Sequence, residues 1–110
     1  MHRGGGMDDE WQEIAFDLDG FEWDENKAQS NFKKHDISFY DAVEIFERPL
    51  IARLQIIDFE ERYEIIGLTR RASLCVICTE RTDALRIISA RKATEAEERR
   101  YRAYFFQRLA

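Results

Sequence analysis

Four runs rich in isoleucine, valine and leucine follow one another between residues 50 and 90, and they constrain the fold more than any other feature. The runs span residues 50–58, 61–69, 74–79 and 85–90, with only short polar segments between them. Aliphatic runs of this length are typical of strands. Because parallel neighbours need a crossover of about a dozen residues, gaps this short join antiparallel neighbours. The sequence therefore predicts a four-stranded antiparallel meander.

Two helices are predicted before the first of these strands. Asp24 can cap a helix over residues 25–35. Ser38, followed three residues later by Asp41, opens a second helix with an apolar face. Pro49 ends that helix, because proline disfavours helical geometry at the residue before it.

A third helix follows the meander. Thr94 and Glu97 form a capping box, and the helical pattern continues to about residue 107. Residues 21–23 resemble a short strand, and alternation over residues 14–18 permits another at a sheet edge. The expected fold is an α+β domain with two N-terminal helices, the meander and a C-terminal helix, in which the helices cover one face of the sheet.

The size and composition of the chain fit a single domain. It has 110 residues, its longest apolar run (74–78) is too short to span a membrane, and its two cysteines do not make a disulfide scaffold. No apolar leader marks the chain for export. We therefore expect a soluble, cytoplasmic protein with a domain over residues 21–107 and a flexible, acidic extension over residues 1–20.

Charge is distributed unevenly along the chain. Residues 1–60 hold 6 Lys and Arg against 15 Asp and Glu, a net charge of −9, whereas residues 61–110 hold 11 against 7, a net charge of +4. All but one of the cations in the second half are arginines, whose planar donors suit phosphate or carboxylate. The pattern is equally compatible with an anionic partner and with a surface of internal ion pairs.

The cysteines and the histidine outside the N-terminal leader are weak candidates for chemistry. Cys75 and Cys78 stand three apart in a predicted strand, so their side chains point to opposite faces and cannot jointly hold a metal ion. We interpret both as buried structural residues. His35 ends the first helix beside Lys34. It could cap that helix, or it could act as a general acid or base near a phosphate.

Charged side chains on the predicted strands suggest a second type of site. Arg62 shares a face of its strand with Glu64, and strict alternation puts Arg86 and Arg91 on opposite faces of the last strand. If the helices cover one face, arginines and a carboxylate on the other could grip RNA and stabilise charge at a reacting phosphate. The alternative is cross-strand ion pairing on a solvated face.

Spaced residues between positions 21 and 104 form a longer pattern. Its first part comprises Phe21-Glu22-Trp23-Asp24, Lys27, Asn31, Lys34-His35, Phe39, Ala42, Phe46 and Pro49. Its second part comprises Glu61-Arg62-Tyr63, Gly67, Thr79-Glu80-Arg81, the run from Arg86 to Arg91, Glu98-Arg99 and Tyr101. In this order and spacing the chain resembles the BrnT toxins. It departs from them at Asp36, where glycine is common in the family.

The resemblance implies a RelE-like fold and a toxin of a bacterial type II toxin–antitoxin pair. It implies metal-independent endoribonuclease activity that inhibits translation, with no cofactor. The implied partners are an RNA substrate and a BrnA-like antitoxin that folds around the toxin, and operator DNA is bound only through the antitoxin complex.

The resemblance also implies which residues form the site. The ribose 2′-hydroxyl attacks the adjacent phosphate in RelE-type chemistry, so cations and a proton-transfer group are needed. The candidates for phosphate binding and charge stabilisation are Lys34, Arg62, Arg86 and Arg91. The candidates for proton transfer are His35 and Glu80, and those for further RNA contacts are Lys27, Arg81 and Arg99. The alternative function is a catalytically inert RelE-like module that binds a partner or co-represses an operon.

Overall fold

The computed structural model describes residues 10–17 and 19–109 and shows the expected α+β class. Its strands are β1 (Gln12–Glu13), β2 (Phe21–Glu22), β3 (Ile51–Ile57), β4 (Glu60–Leu68), β5 (Ser73–Glu80) and β6 (Leu85–Lys92). Its helices are α1 (Glu25–His35), α2 (Phe39–Ala42), a 3₁₀ segment (Val43–Glu47) and α3 (Glu95–Leu109).

The described strands form one six-stranded sheet in the order β1-β3-β4-β5-β6-β2. The central four strands make the predicted antiparallel meander. The prediction of a four-stranded sheet is wrong, because β1 pairs antiparallel with β3 and β2 pairs parallel with β6, which makes the sheet mixed. β2 falls within the short strand predicted at residues 21–23, but its place in the sheet was not predicted, whereas β1 is two residues long and too short for a period-2 pattern to reveal it.

The first added strand also lies earlier than the alternation suggested. β1 occupies Gln12–Glu13, whereas Ile14 to Asp17 form no strand, and Leu18 lies outside the described residues. Phe16 instead packs its ring edge-on against Phe46 and Tyr63, with centroids 5.8 and 5.1 Å away. The apolar residues of this segment therefore serve the core through aromatic contacts and not through strand pairing.

The N-terminal helices begin where their caps predict. The Asp24 carboxylate accepts a hydrogen bond from the Lys27 backbone N–H, and the Ser38 hydroxyl accepts one from Asp41. Asp36 ends α1 with φ of 60°, the left-handed conformation that favours glycine. The predicted second helix keeps α geometry for only four residues and then tightens into the 3₁₀ segment.

Helices cover both faces of the sheet, which corrects the expectation of one open face. The core on the first face, here called the α1–α2 face, includes Phe39, Ala42, Ile45, Ala52, Ile65, Val76, Cys78, Leu85, Ile87 and Ala90. On the opposite α3 face, Tyr101, Tyr104 and Phe105 pack on Trp11, Ile51 and Ile66. Adjacent residues of a strand point to opposite faces. Because neighbours such as Ile65 and Ile66 are both apolar, both faces must be covered.

An ion pair attaches the start of α3 to β6. The two Arg91 Nη atoms donate to the two Glu97 carboxylate oxygens at 2.8 and 2.9 Å. The Thr94 N–H also donates to Glu97, and the Glu97 N–H donates to the Thr94 hydroxyl, so the predicted capping box is confirmed. The hydrogen bond from Arg91 is the main reason that the pKa of Glu97 lies below its usual value.

The 3₁₀ segment packs closely on β4 at Gly67. A Cβ built on Gly67 would lie 2.9 Å from Ile45 Cβ and 3.5 Å from Leu50 Cβ. Both neighbours are themselves buried, so they have little room to move. Glycine at this position therefore lets the helical layer sit directly on the sheet.

We predict that Gly67→Ala destabilises the fold by about 1–3 kcal/mol, because the new methyl group overpacks the core. The matched control is Gly20→Ala, since a Cβ there would meet no atom within 4 Å. It should change the free energy of unfolding by less than about 0.5 kcal/mol. Urea unfolding of both variants tests this, and equal effects would contradict the close approach at Gly67.

We also predict that Glu97 contributes to acid sensitivity. Its pKa is lowered in the folded state, so its stabilisation is present above about pH 4.5, the usual value, and is lost as the pH falls below it. Glu97→Gln should therefore be less stable than wild type at pH 7 and should lose less stability on acidification. Glu95→Gln, an exposed acid in the same first turn, is the control and should retain the wild-type slope.

Candidate functional site

A buried asparagine fixes α1 against the outer edge of β6. The Asn31 side-chain amide donates to the carbonyls of Ala90 (2.8 Å) and Ile37 (3.1 Å), and its carbonyl accepts from the Ala90 N–H (3.1 Å). Beyond Arg86, β2 no longer pairs with β6, so this part of the edge needs other partners. Asn31 supplies them at Ala90 in place of another strand.

A groove of about 380 Å³ lies between α1 and this edge. It is lined by Asn26, Lys27, Ser30, Asn31, Lys34, His35, Ile88 and Ser89. Lys27, Asn31 and Lys34 are spaced by four and three residues in the sequence and lie together on this side of α1, since residues three and four apart share a helix face. The lining contains two ammonium groups and one imidazole but no carboxylate. The groove is therefore suited to an anion.

A β-bulge in β6 changes where the strand arginines point. Ile77 pairs with Ser89 and Cys78 with Ile87, so Ile88 is an extra residue in β6. Arg86 and Arg91 consequently lie opposite Thr79 and Cys75 and share the α3 face. The expectation that they lie on opposite faces is wrong, because strict alternation cannot anticipate an inserted residue.

Each of the three predicted strand arginines has an acidic partner. Arg62 Nη2 lies 3.0 Å from Glu60, and Arg86 Nε lies 3.0 Å from Glu22. Arg91 is held by Glu97, as described above. By contrast, none of the described carboxylates lies within ion-pair distance of Lys27 or Lys34. Among these five cations of the described chain, the two without an ion-pair partner are therefore the lysines that line the groove.

The remaining predicted residues lie outside the groove. Glu80 pairs in register with buried Leu85 on the α1–α2 face, where the Tyr63 hydroxyl donates to it at 3.5 Å. Burial, followed by the charge of Glu80, raises the pKa of Tyr63. Arg81 is exposed after β5, and Arg99 is exposed on α3. The structure thus does not bring Glu80 together with His35 or with Arg62.

One group of potential metal ligands lies on the α3 face. The ligand atoms of Glu64, Cys75 and Glu97 lie within 4.8 Å of one another. However, Glu64 is bound by Arg53 at 2.8 Å and Glu97 by Arg91, so both carboxylates already have a counter-charge. Burial raises the pKa of Cys75 to about 12, whereas a metal ligand must be a thiolate. These residues fit an ionic link between the sheet and α3 better than a metal site.

The cysteines point to opposite faces, as predicted. Cys78 belongs to the core of the α1–α2 face, whereas the Cys75 thiol donates to Glu64 on the α3 face at 3.8 Å. Burial also raises the pKa of Cys78 to about 12. Both are protonated, buried thiols at neutral pH.

Sequence reasoning missed the parts of the groove that depend on tertiary contacts. Unbroken alternation would put Ser89 on the face of Ile87 and gives no role to Ile88, whereas the bulge brings both residues to the groove. The helical spacing of Asn31 does not by itself show that its side chain clamps α1 to β6. A signal existed, since asparagine is disfavoured inside helices and needs a reason to be there.

Among the described residues, no helix is long and apolar enough to cross a membrane. A search of curated proteins finds no match. The family model for the ribonuclease toxin BrnT of type II toxin–antitoxin systems matches residues 23–97, which include the groove and its supporting strands. Because this match covers well over half of the sequence, the chain belongs to the BrnT family of ribonuclease toxins.

Proposed function

We propose that this protein is a metal-independent endoribonuclease whose active site is the groove between α1 and β6. The observation that carries the proposal is the lining of that groove, which combines Lys27, Lys34 and His35 without any carboxylate. RNA is a polyanion, and a groove of unpaired cations attracts its phosphates. The family to which the chain belongs supports ribonuclease activity in general.

The proposed reaction uses the substrate's own ribose. The 2′-oxygen forms a bond to the adjacent phosphorus while the bond to the 5′-oxygen breaks, which gives a cyclic phosphate and a free 5′-hydroxyl. His35 accepts the proton of the 2′-hydroxyl. Lys27 and Lys34 stabilise the extra negative charge on the phosphorus-bound oxygens, and Lys34 is the candidate acid for the leaving oxygen.

Among the predicted arginines, Arg86 is the one that the proposal adds to this site. It lies on β6 two residues before Ile88, and its ion pair with Glu22 is partly exposed on both sides. Exposed ion pairs contribute only about 0–1 kcal/mol, so a phosphate can displace Glu22. Catalytic roles for Arg62, Glu80 and Arg91, and RNA contacts of Arg81 and Arg99, stay predictions.

The biological setting is proposed from the family. Type II toxins have a protein antitoxin. We propose that a BrnA-like antitoxin neutralises this protein in the bacterial cytoplasm. When the antitoxin is lost, RNA cleavage inhibits translation, and operator DNA is contacted only through the antitoxin.

One observation favours the alternative of an inert binding module. Arg62, Arg86 and Arg91 are all engaged by carboxylates, as expected for a surface of ion pairs. An inert module would bind its partner with the same surfaces but leave RNA intact. The assays below separate the two functions.

We predict that Lys34→Ala reduces RNA cleavage about 100-fold, the typical effect of removing one group that stabilises transition-state charge. The matched control is Lys33→Ala. Lys33 is the adjacent exposed lysine of α1, but it lines a different groove, between α1 and α2. Cleavage of a defined RNA in vitro, and growth arrest on expression without antitoxin, are the measurements.

Two outcomes would count against this site. Equal activity of both lysine variants would remove Lys34 from the mechanism. A folded wild-type protein that neither cleaves RNA nor arrests growth would favour the binding module. Circular dichroism and unfolding curves of each variant establish that any loss is not a loss of fold.

We further predict that EDTA leaves the rate of RNA cleavage unchanged, because the 2′-hydroxyl, His35 and the two lysines supply every group the reaction needs. The assay compares EDTA-treated enzyme with enzyme supplied with Mg²⁺ or Zn²⁺. Loss of activity in EDTA that either metal restores would refute metal independence and direct attention to Glu64, Cys75 and Glu97.

A further inference from the structure

The outer edge of β3 is mostly unpaired among the described residues. Among the described residues, β1 pairs in register only with Ile51 and Ala52, and the side chains of Glu10 and Trp11 reach Arg53, so that no described strand pairs with residues 54–57 on that side. Alternate backbone N–H and C=O groups of an edge strand point outward and can accept another strand. The opposite end of the sheet differs, since Asn31 and β2 occupy the edge of β6.

The side chains of this edge are unusually apolar for a solvated position. Leu54 is 47% exposed and Ile56 is 68% exposed, and both point to the face of the neighbouring buried Ala52. Native proteins usually protect edge strands with charges, prolines or bulges. The described part of β3 shows none of these after Arg53, so this edge resembles one that a second strand covers.

The turn after β3 is the strongest indication that a partner covers this edge. Asp58 and Phe59 connect β3 to β4 with φ of 51° and 65°. Two-residue turns with both φ values positive favour Asn-Gly or Asp-Gly, because a side chain is strained there. The second turn position nevertheless holds phenylalanine in place of glycine, and the Phe59 side chain is fully exposed (104%). In the isolated fold, Phe59 therefore adds backbone strain and exposed apolar area, and its side chain gains no packing contacts that would offset them.

The charge of the turn indicates the chemistry of a partner. Asp58, Glu60 and Glu61 are near neighbours of Phe59 in the sequence, and of these only Glu60 has an ion-pair partner among the described residues, namely Arg62. The turn is therefore net negative. A segment that covers it should carry lysine or arginine on either side of apolar residues.

We propose that the antitoxin binds the outer edge of β3 as an added strand, with apolar residues over Leu54 and Ile56 and a pocket that receives Phe59. The partner segment is extended, alternately apolar and flanked by basic residues. This inference rests on the proposed function for the existence of an antitoxin. Because β4 and β5 separate β3 from β6, the contact anchors the antitoxin away from the groove.

The experiment measures antitoxin affinity and RNA cleavage for the same variants. The probe is the purified product of the gene adjacent to the toxin gene. Phe59→Gly removes the aromatic side chain and also relieves the positive φ, so we expect unchanged or higher stability of the free toxin and at least about 10-fold weaker binding. Ile56→Thr, which keeps strand propensity, should weaken binding in the same way. Both variants should cleave RNA at the wild-type rate.

Tyr40→Ser is the matched control, since Tyr40 is another largely exposed aromatic residue (78%), on α2 and away from this edge. It should bind antitoxin as wild type does. Normal binding of Phe59→Gly and Ile56→Thr would overturn the proposal, as would a loss of binding with Tyr40→Ser alone. Failure of the adjacent gene product to bind wild-type toxin would also overturn it.

Hydrogen exchange identifies what covers the edge. The outward-pointing amides of residues 54–57 should exchange quickly in free toxin and slowly in the complex, whereas the amides that face β4 should be protected in both. Protection of the outward amides already present in a monomeric free toxin would assign the edge to the toxin's own chain, and a dimer that Phe59→Gly dissolves would assign it to a second copy. A wild-type toxin that binds antitoxin through Phe59 but cleaves no RNA would refute the proposed reaction and leave this interface intact.

Discussion

The hydrogen bonds of Asn31 are the interaction on which the candidate site depends. They join α1, the chain that follows it and the edge of β6 through one buried side chain. A buried amide that lost these partners would be left unsatisfied at a cost of about 1–3 kcal/mol. The same clamp fixes the direction of Lys27 and Lys34, which lie on either side of Asn31 along the helix. The stability of the fold and the position of the two lysines therefore both depend on Asn31.

Charge on this molecule is divided between structure and binding. The arginines of the strands join neighbouring elements. Arg91 of β6 binds Glu97 of α3, and Arg53 of β3 binds Glu64 of β4. The lysines of the groove have no such partner among the described acids, although the chain as a whole carries a net charge of −5. A phosphate entering the groove therefore has no carboxylate to displace. At Arg86 it would have to compete with Glu22.

The two outer edges of the sheet are covered in different ways, and one physical requirement explains both. An exposed strand edge must be covered or it will pair with another chain. At β6 the fold supplies the cover itself, and the cover creates the groove. At β3 the described residues supply it only for Ile51 and Ala52, and the apolar side chains beyond them are left for a partner.

The sequence by itself determined the elements whose signals are local: the four central strands, the caps at Asp24, Ser38 and Thr94, and the lysine stripe of α1. Hydrophobic period and capping chemistry act over a few residues and can be read directly. Only the tertiary structure decided what depends on distant pairing. The pairing of the two-residue strands depends on their neighbours in the sheet, α3 covers the second face because Ile51 and Ile66 are apolar there, and the bulge at Ile88 turns Arg86 and Arg91 to one side. A register shift has no local signature, because it is set by the strand opposite.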